Sequence, residues 1–186
     1  MPSISQKTDV PGQSCGACAA SYVLEELLGL TFRKEDVDAL WKTVQFGTAP
    51  EPGFIEADHT DPTKLLKMLG RDYSSLKLIG CMVADSPLKR YTQRLAYPSV
   101  VQICDPPQKL IADPTWRLIG IYMTEGLHYV ATKFQDGFFH LKDSNASVPS
   151  YVVGPAVMTI GVRFPAPLDD GTESYAYQGA GILVHL

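Results

Sequence analysis

The sequence has no cluster of basic residues and no long apolar run. Its 16 Lys and Arg residues are outnumbered by 20 Asp and Glu residues, which gives a formal net charge of −4. A chain of this kind lacks the linear basic patch typical of proteins that bind a phosphate backbone. No stretch approaches the roughly 18 apolar residues of a membrane-spanning helix. These absences argue against nucleic acid and against a membrane as partners.

Cysteine is also scarce. The chain has four cysteines in 186 residues, too few for a disulfide framework in a domain of this size. Cys81 and Cys104 lie in apolar contexts that suit buried thiols. The N-terminal residues show neither the basic segment nor the apolar run of a signal peptide. We therefore expect a reducing compartment, either the cytoplasm or a target cell reached through a dedicated secretion system.

The residues that are present form an ordinary globular composition. Hydrophobic residues make up 45% and charged residues 19% of the chain, which is far from the composition of disordered proteins. A chain of 186 residues is long enough to bury one core and short for two. We predict a single domain over residues 1–186.

Helical periodicity dominates the first part of the chain. Apolar residues recur at helical spacing in three segments, and Gly29 and Gly70 follow the first and the third. Asp61 and Pro62 suit the cap and the first turn of the third segment. The sequence therefore predicts helices over residues 17–28, 34–44 and 62–69.

Short β-branched and aromatic runs dominate from residue 97 onward, separated by Pro, Gly and Asp. Asp136-Gly137 between two of these runs is a strong signal for a tight hairpin. Segments 48–61 and 164–171 have loop composition. Helices come first and an antiparallel sheet second, so the predicted class is α+β. The predicted strands cover residues 98–104, 117–123, 128–134, 138–144, 156–164 and 181–186.

Cys15 lies directly before the first predicted helix. Unpaired N–H groups and the helix dipole favour an anion at such a position, so the pKa of a thiol there is lowered. The thiolate is the nucleophilic form of cysteine. The backbone N–H of Cys15, together with a side-chain amide from the preceding loop, would form an oxyanion hole.

His128 and Asp143 flank the predicted hairpin. Residues equidistant from a tight turn face each other, and the sum 128 + 143 = 271 is close to 136 + 137 = 273 for the turn residues Asp136 and Gly137. An imidazole and a carboxylate are therefore expected to meet. Asp143 would orient the ring and leave its other nitrogen for Cys15.

These features resemble the papain-like cysteine peptidase superfamily. The segment QSCGACAASYVLEELLG is similar to the nucleophile helix of C39-like peptidases and Josephin deubiquitinases, and HYVATKFQDGFFHLKDSN is similar to their His-hairpin-Asp segment. The resemblance covers roughly a quarter of the chain. It implies a papain-like fold, a helical part with the nucleophile packed on a C-terminal antiparallel sheet, and a triad of Cys15, His128 and Asp143.

The resemblance also implies a Gln about five or six residues before the nucleophile, but Val10 and Asp9 occupy those positions. We expect Gln6 to complete the oxyanion hole, with Gln13 as the alternative. Cys18 is the alternative nucleophile, because the segment SCGACAAS also aligns with the cysteine motif of papain when shifted by three residues. We favour Cys15, since Cys18 would lie on the apolar face of the helix.

Other interpretations of the same residues are weaker. Cys15 and Cys18 form a Cys-x-x-Cys motif, but a redox centre of that kind needs a preceding βαβ element, and a zinc site needs a second ligand pair. Asn145 competes with Asp143 for the third triad position. We interpret the remaining histidines as bystanders and the two tryptophans as packing residues: His59, His140, His185, Trp41 and Trp116. His185 is expected to be exposed.

The triad implies acyl transfer, most directly hydrolysis of a peptide or isopeptide bond in a protein or peptide substrate. It implies no metal and no organic cofactor. The same triad also serves glutamine deamidation, transglutamination and other acyl transfer, because these reactions differ only in the entering amide and the resolving nucleophile. A catalytically inactive relative that acts as a binding module is a further alternative.

Overall fold

The structure is a computed structural model that describes residues 14–46, 60, 62–83, 85–86, 107–123, 127–168 and 171–186. Its helices are α1 Cys15–Leu28, α2 Lys34–Phe46, α3 Pro62–Asp72 and α4 Pro107–Ile111, with a 3-10 helix at Pro155–Met158. Its strands are β1 Lys77–Met82, β2 Arg117–Met123, β3 Leu127–Gln135, β4 Phe138–Lys142, β5 Tyr151–Val153, β6 Arg163–Leu168 and β7 Gly171–His185. Within these ranges no helix is long and apolar enough to cross a membrane.

The strands form one antiparallel sheet in the order β1-β7-β2-β3-β4-β5. β7 is long enough to pair with β1 through its C-terminal half and with β6 through its N-terminal half. The sheet curls, because the segment that follows β4 reaches β6: the Ser147 N–H donates to the Pro167 carbonyl oxygen at 3.0 Å, beside a bridge between Ala146 and Leu168. This curl brings the end of β4 close to the start of β7.

The helices α1, α2 and α3 form a core with one face of the sheet. Trp41 and Leu24 are fully buried there, together with Ile119 and Ile182 from the sheet. Burial of each such side chain contributes about 1.5–3 kcal/mol to the free energy of unfolding. The other sheet face carries a second core that includes Tyr122, Tyr175 and Phe164.

The predicted α+β class is confirmed, and so are many of its elements. α1 ends at the predicted Gly29, which has a left-handed φ of 65°, and α3 begins at the predicted Pro62. Strand β2 has the predicted bounds. The hairpin between β3 and β4 turns at Asp136 and Gly137 with φ values of 53° and 82°, the pair of positive values that a two-residue primed turn requires.

Four other predictions were wrong. α3 continues past Gly70 to Asp72, and the predicted strand 156–164 starts as a 3-10 helix and becomes strand only at Arg163. The predicted loop 164–171 contains most of β6. His185 is half-buried rather than exposed and packs its ring on Trp116.

Some predictions lie outside the described residues, and two strands were not predicted. The predicted strand 98–104, the cap at Asp61 and nearly all of the loop 48–61 fall in undescribed ranges. β1 and β5 were missed, although β1 carries the buried Cys81 that the apolar context predicted.

Candidate active site

Cys15 is the first residue of α1 and follows the N-cap residue Ser14. The Ser14 carbonyl oxygen accepts the first helical hydrogen bond, from the Cys18 N–H at 2.9 Å. The N–H groups of the first turn have no acceptor within a helix, so they favour a negative charge on a nearby atom. Cys15 is only 4% exposed.

Gly16 follows the candidate nucleophile at a crowded point. A Cβ atom on Gly16 would lie 2.7 Å from the Cβ of Thr60, so only glycine fits. Thr60 is held in place there because its carbonyl oxygen accepts a hydrogen bond from the Tyr129 hydroxyl at 3.0 Å. Tyr129 follows His128 on β3, so α1, Thr60 and β3 are linked beside the Cys15 thiol.

His128 lies near the start of β3, and Asp143 directly follows β4. The observed register pairs Lys133 with His140, so opposed residues sum to 273 rather than 271. His128 and Asp143 are therefore offset by two positions instead of directly opposed. An offset of two keeps both side chains on one face, because side chains alternate along a strand.

The side chains of Cys15, His128 and Asp143 form one connected chain. His128 Nε2 and Asp143 Oδ1 are 2.6 Å apart, and the Cys15 thiol is close enough to His128 that each group shifts the pKa of the other. Since Asp143 occupies Nε2, Nδ1 is the ring nitrogen left for the sulfur. All three residues are at least 95% buried, so water screens their electrostatic interactions weakly.

The surroundings of Cys15 favour the thiolate. Burial alone would raise the pKa of the Cys15 thiol, but the hydrogen bond and the charge of His128, with the backbone groups of Tyr129 and Gly16, bring the pKa below its ordinary value. A thiol with a lowered pKa and a neighbouring imidazole is the activated form of a cysteine nucleophile.

The surroundings of His128 favour the imidazolium. Burial alone would lower the pKa of His128, yet the hydrogen bonds to Asp143 and Cys15 and the charges of those groups raise it to about 10. The two shifts together favour a thiolate beside an imidazolium over the neutral pair. The imidazolium is able to give a proton to a leaving amine.

Asp143 is held by several donors. Its Oδ1 accepts a hydrogen bond from the Asn145 N–H at 2.9 Å, and its Oδ2 accepts one from the Tyr151 hydroxyl at 3.4 Å. The nearby Tyr175 hydroxyl also interacts with the carboxylate and lowers its pKa. Burial would raise the pKa of Asp143, but His128, the Asn145 N–H and Tyr175 lower it, so the carboxylate is ionised at neutral pH.

The two tyrosines near Asp143, Tyr151 and Tyr175, were not predicted from the sequence. Burial first, and then the charge of Asp143, raises the pKa of each hydroxyl, so both remain protonated donors. Tyr175 also packs edge-on against the His128 ring, with 5.7 Å between ring centroids. The only sequence signal was the alternation of Tyr175 and Tyr177 on one face of a strand, which by itself indicates core packing.

The structure separates the alternatives for the site residues. Cys18 is fully buried inside α1, and its sulfur lies 3.9 Å from the Ser14 hydroxyl. Asn145 contacts Asp143 through its backbone N–H, whereas Asp143 itself contacts His128. Gln6, Gln13 and His59 lie outside the described residues. Within those residues no group of three or more His, Cys, Asp or Glu side chains is placed to hold a metal ion.

Replacement of Tyr175 by Phe is expected to lower kcat/KM about tenfold, because a hydroxyl that stabilises the buried Asp143 charge is lost while the Asn145 N–H and the Tyr151 hydroxyl remain. Asp143 then supports the imidazolium less well, so the alkaline limb of the rate against pH moves to lower pH. The measurement is kcat/KM from about pH 5 to 11.

Tyr177→Phe is the matched control for this variant. The Tyr177 hydroxyl is buried two residues further along β7 and has no hydrogen-bond partner among the described residues. Its removal is expected to leave the pH profile unchanged. An equal loss in both variants would mean that Tyr175 only supports the core.

A comparison of the chain with protein-family models finds no match, and a comparison with the curated proteins finds none either.

Proposed function

We propose that the chain is a papain-like cysteine hydrolase that cleaves an amide bond in a protein or peptide substrate. The observation that supports this most directly is the buried chain of Cys15, His128 and Asp143, with the thiol at a helix N-terminus and the carboxylate behind the ring. The α+β architecture and the chain order Cys, His, Asp agree with the resemblance.

In the proposed acylation, the Cys15 sulfur attacks the substrate carbonyl carbon and forms a C–S bond. The amide C–N bond breaks, and the amine leaves with the proton that His128 donates. In deacylation, water gives a proton to the now neutral His128 and attacks the thioester. The C–S bond breaks, which releases the acid and restores the thiolate beside the imidazolium. Asp143 keeps the ring oriented throughout.

The charge that develops on the substrate oxygen needs donors beside Cys15. We assign one of them to the backbone N–H of Cys15, which belongs to the first turn of α1. The resemblance supplies Gln6 as the second donor, with Gln13 as the alternative, and both lie outside the described residues.

The test is incubation with a complex mixture of peptides, followed by mass spectrometry of the products. Hydrolysis produces new peptide termini, and we expect these in the wild type and not in Cys15→Ala. Deamidation would instead raise the mass of intact peptides by about one dalton, and acyl transfer would produce peptide adducts. These reactions share the thioester and differ in the nucleophile that resolves it. If no product of any kind depends on Cys15, the proposal fails and a binding module is favoured.

A further inference from the structure

A small cavity of about 110 Å³ lies between α1 and the strands β2, β3 and β4. It is separate from the candidate active site, because Glu26 in its wall is 11 residues beyond Cys15 on α1, about 16 Å along the helix axis. Its polar lining consists mostly of basic side chains. The polar residues that line it are Glu26, Arg117, Thr132, Lys133, His140, Lys142 and Ser150.

The strand register brings these basic residues together from distant parts of the chain. Arg117 pairs with Lys133 across β2 and β3, and Lys133 pairs with His140 across β3 and β4. Lys142 is two positions from His140 and therefore lies on the same face. Like charges on directly opposed residues destabilise a sheet, so this row of basic residues needs negative charge nearby.

Glu26 supplies part of that negative charge. Its Oε1 lies 3.1 Å from an Arg117 nitrogen and 2.8 Å from the Lys133 Nζ. Burial would raise the pKa of Glu26, but Lys133 and Arg117 lower it, so the carboxylate is ionised. The cavity wall thus carries the basic side chains of Arg117, Lys133 and Lys142 against one carboxylate, a formal charge balance of 3 − 1 = +2.

The basic groups are also partly withdrawn from water. The side chains of Arg117 and Lys133 are 15% and 27% exposed, and the Arg117 Nε is buried without a hydrogen-bond partner among the described residues. Lys142 forms no ion pair within the same residues. Arg117 also donates through Nη1 to the carbonyl oxygens of Pro114 and Trp116, so its Nε and the Lys142 ammonium are the donors that remain for an anion at this cavity.

We propose that this cavity is a binding site for a phosphate group. Its size is far below the roughly 300 Å³ of a site for a larger organic ligand, which suits a compact tetrahedral anion. Arg117 and Lys142 would provide charge-assisted hydrogen bonds, and the dianion would balance the excess positive charge. The same chemistry fits free inorganic phosphate and the phosphate of a phosphorylated residue. The proposal does not depend on the reaction at Cys15.

The first experiment is calorimetric titration of the full chain with inorganic phosphate at constant ionic strength, so that screening does not change. We expect saturable binding at one site and about tenfold weaker binding for Lys142→Gln. Lys77→Gln, an exposed lysine on β1, is the matched control and should bind as the wild type does. No saturable binding, or equal weakening in both variants, would overturn the proposal.

The second experiment measures the thermal unfolding of Glu26→Gln with and without phosphate. Loss of the carboxylate leaves the basic row unbalanced, so Tm falls, and phosphate should raise Tm more in this variant than in the wild type. A Tm gain equal to or smaller than that of the wild type would contradict the proposal.

A parallel titration with O-phosphoserine distinguishes the two sources of the phosphate group. Tighter binding than that of inorganic phosphate assigns the site to a phosphorylated residue, and weaker binding assigns it to the free ion.

Discussion

Replacement of Cys15 by Ser is expected to abolish amide hydrolysis, with a loss of about a thousandfold or more in kcat/KM. The serine hydroxyl is not ionised by the neighbouring imidazole, so the thiolate that His128 and the helix N-terminus stabilise is lost. The fold should persist, because a hydroxyl differs little in volume and is able to keep the contacts to His128 and the Tyr129 backbone. Peptide hydrolysis and thermal unfolding of the variant check both parts.

Cys18→Ser is the control, since it makes the same change one helical turn further along α1. Activity should stay within a few-fold of the wild type, while the free energy of unfolding falls by about 1 kcal/mol because a hydroxyl enters an apolar site and is only partly satisfied by a backbone carbonyl. If Cys18→Ser is inactive and Cys15→Ser is active, the nucleophile has been assigned one turn too early.

The part of the site that could be predicted from residues alone is its hairpin. His128 and Asp143 are 15 positions apart on two strands joined by Asp136-Gly137, and such a local pairing is fixed by the turn. The remaining error of two positions in register did not change the face. Cys15 and His128 are separated by 113 positions, 128 − 15, and no local pattern predicts that residues so far apart in the chain meet.

Predictions from neighbouring residues failed where the position of a segment in the folded sheet determines its secondary structure. Pro165 and Pro167 make residues 164–171 look like a loop, yet they belong to β6, which has a ladder with β7 on one side and only the short contact near Ala146 on the other. Proline is tolerated in such an edge strand because the missing N–H is not needed there. Pro155 likewise explains the 3-10 helix, since it suits the first turn of a helix.

The tyrosines around Asp143 and the basic row around Glu26 could not be predicted for a related reason. Tyr175 reaches Asp143 from β7, a strand distant in sequence, and Arg117 meets Lys133 through the register of β2 and β3. The sequence shows no cluster of basic residues, because antiparallel pairing creates the cluster from separate segments. Side-chain chemistry of this kind becomes visible only when the register is known.

Replacement of His128 by Ala is expected to slow alkylation of Cys15 by iodoacetamide about a hundredfold or more at pH 6. In the wild type the lowered pKa of Cys15 raises the fraction of thiolate at that pH. Without the imidazolium, burial is opposed only by the backbone groups, so the thiol ionises near or above the roughly 8.5 of an unperturbed cysteine, and only about one molecule in 300 is reactive at pH 6. Labelling rates from about pH 4 to 10, with peptide mapping to isolate Cys15, measure the difference.

The pKa shifts of Cys15 and His128 determine the direction of each limb of the pH profile. The thiolate forms as pH rises through the lowered pKa of Cys15, which gives the acid limb of peptide hydrolysis, and the imidazolium is lost as pH rises through the His128 pKa of about 10, which gives the alkaline limb. The rate of hydrolysis against pH should therefore be bell-shaped in the wild type, whereas the labelling rate of the His128→Ala variant should only rise with pH.

His185→Ala is the control, since it loses a histidine ring that packs on Trp116. Its Cys15 should be labelled at the same rate as in the wild type. Identical labelling profiles for the wild type and His128→Ala would mean that His128 does not stabilise the Cys15 thiolate, and the proposed hydrolase would lose its general acid and base.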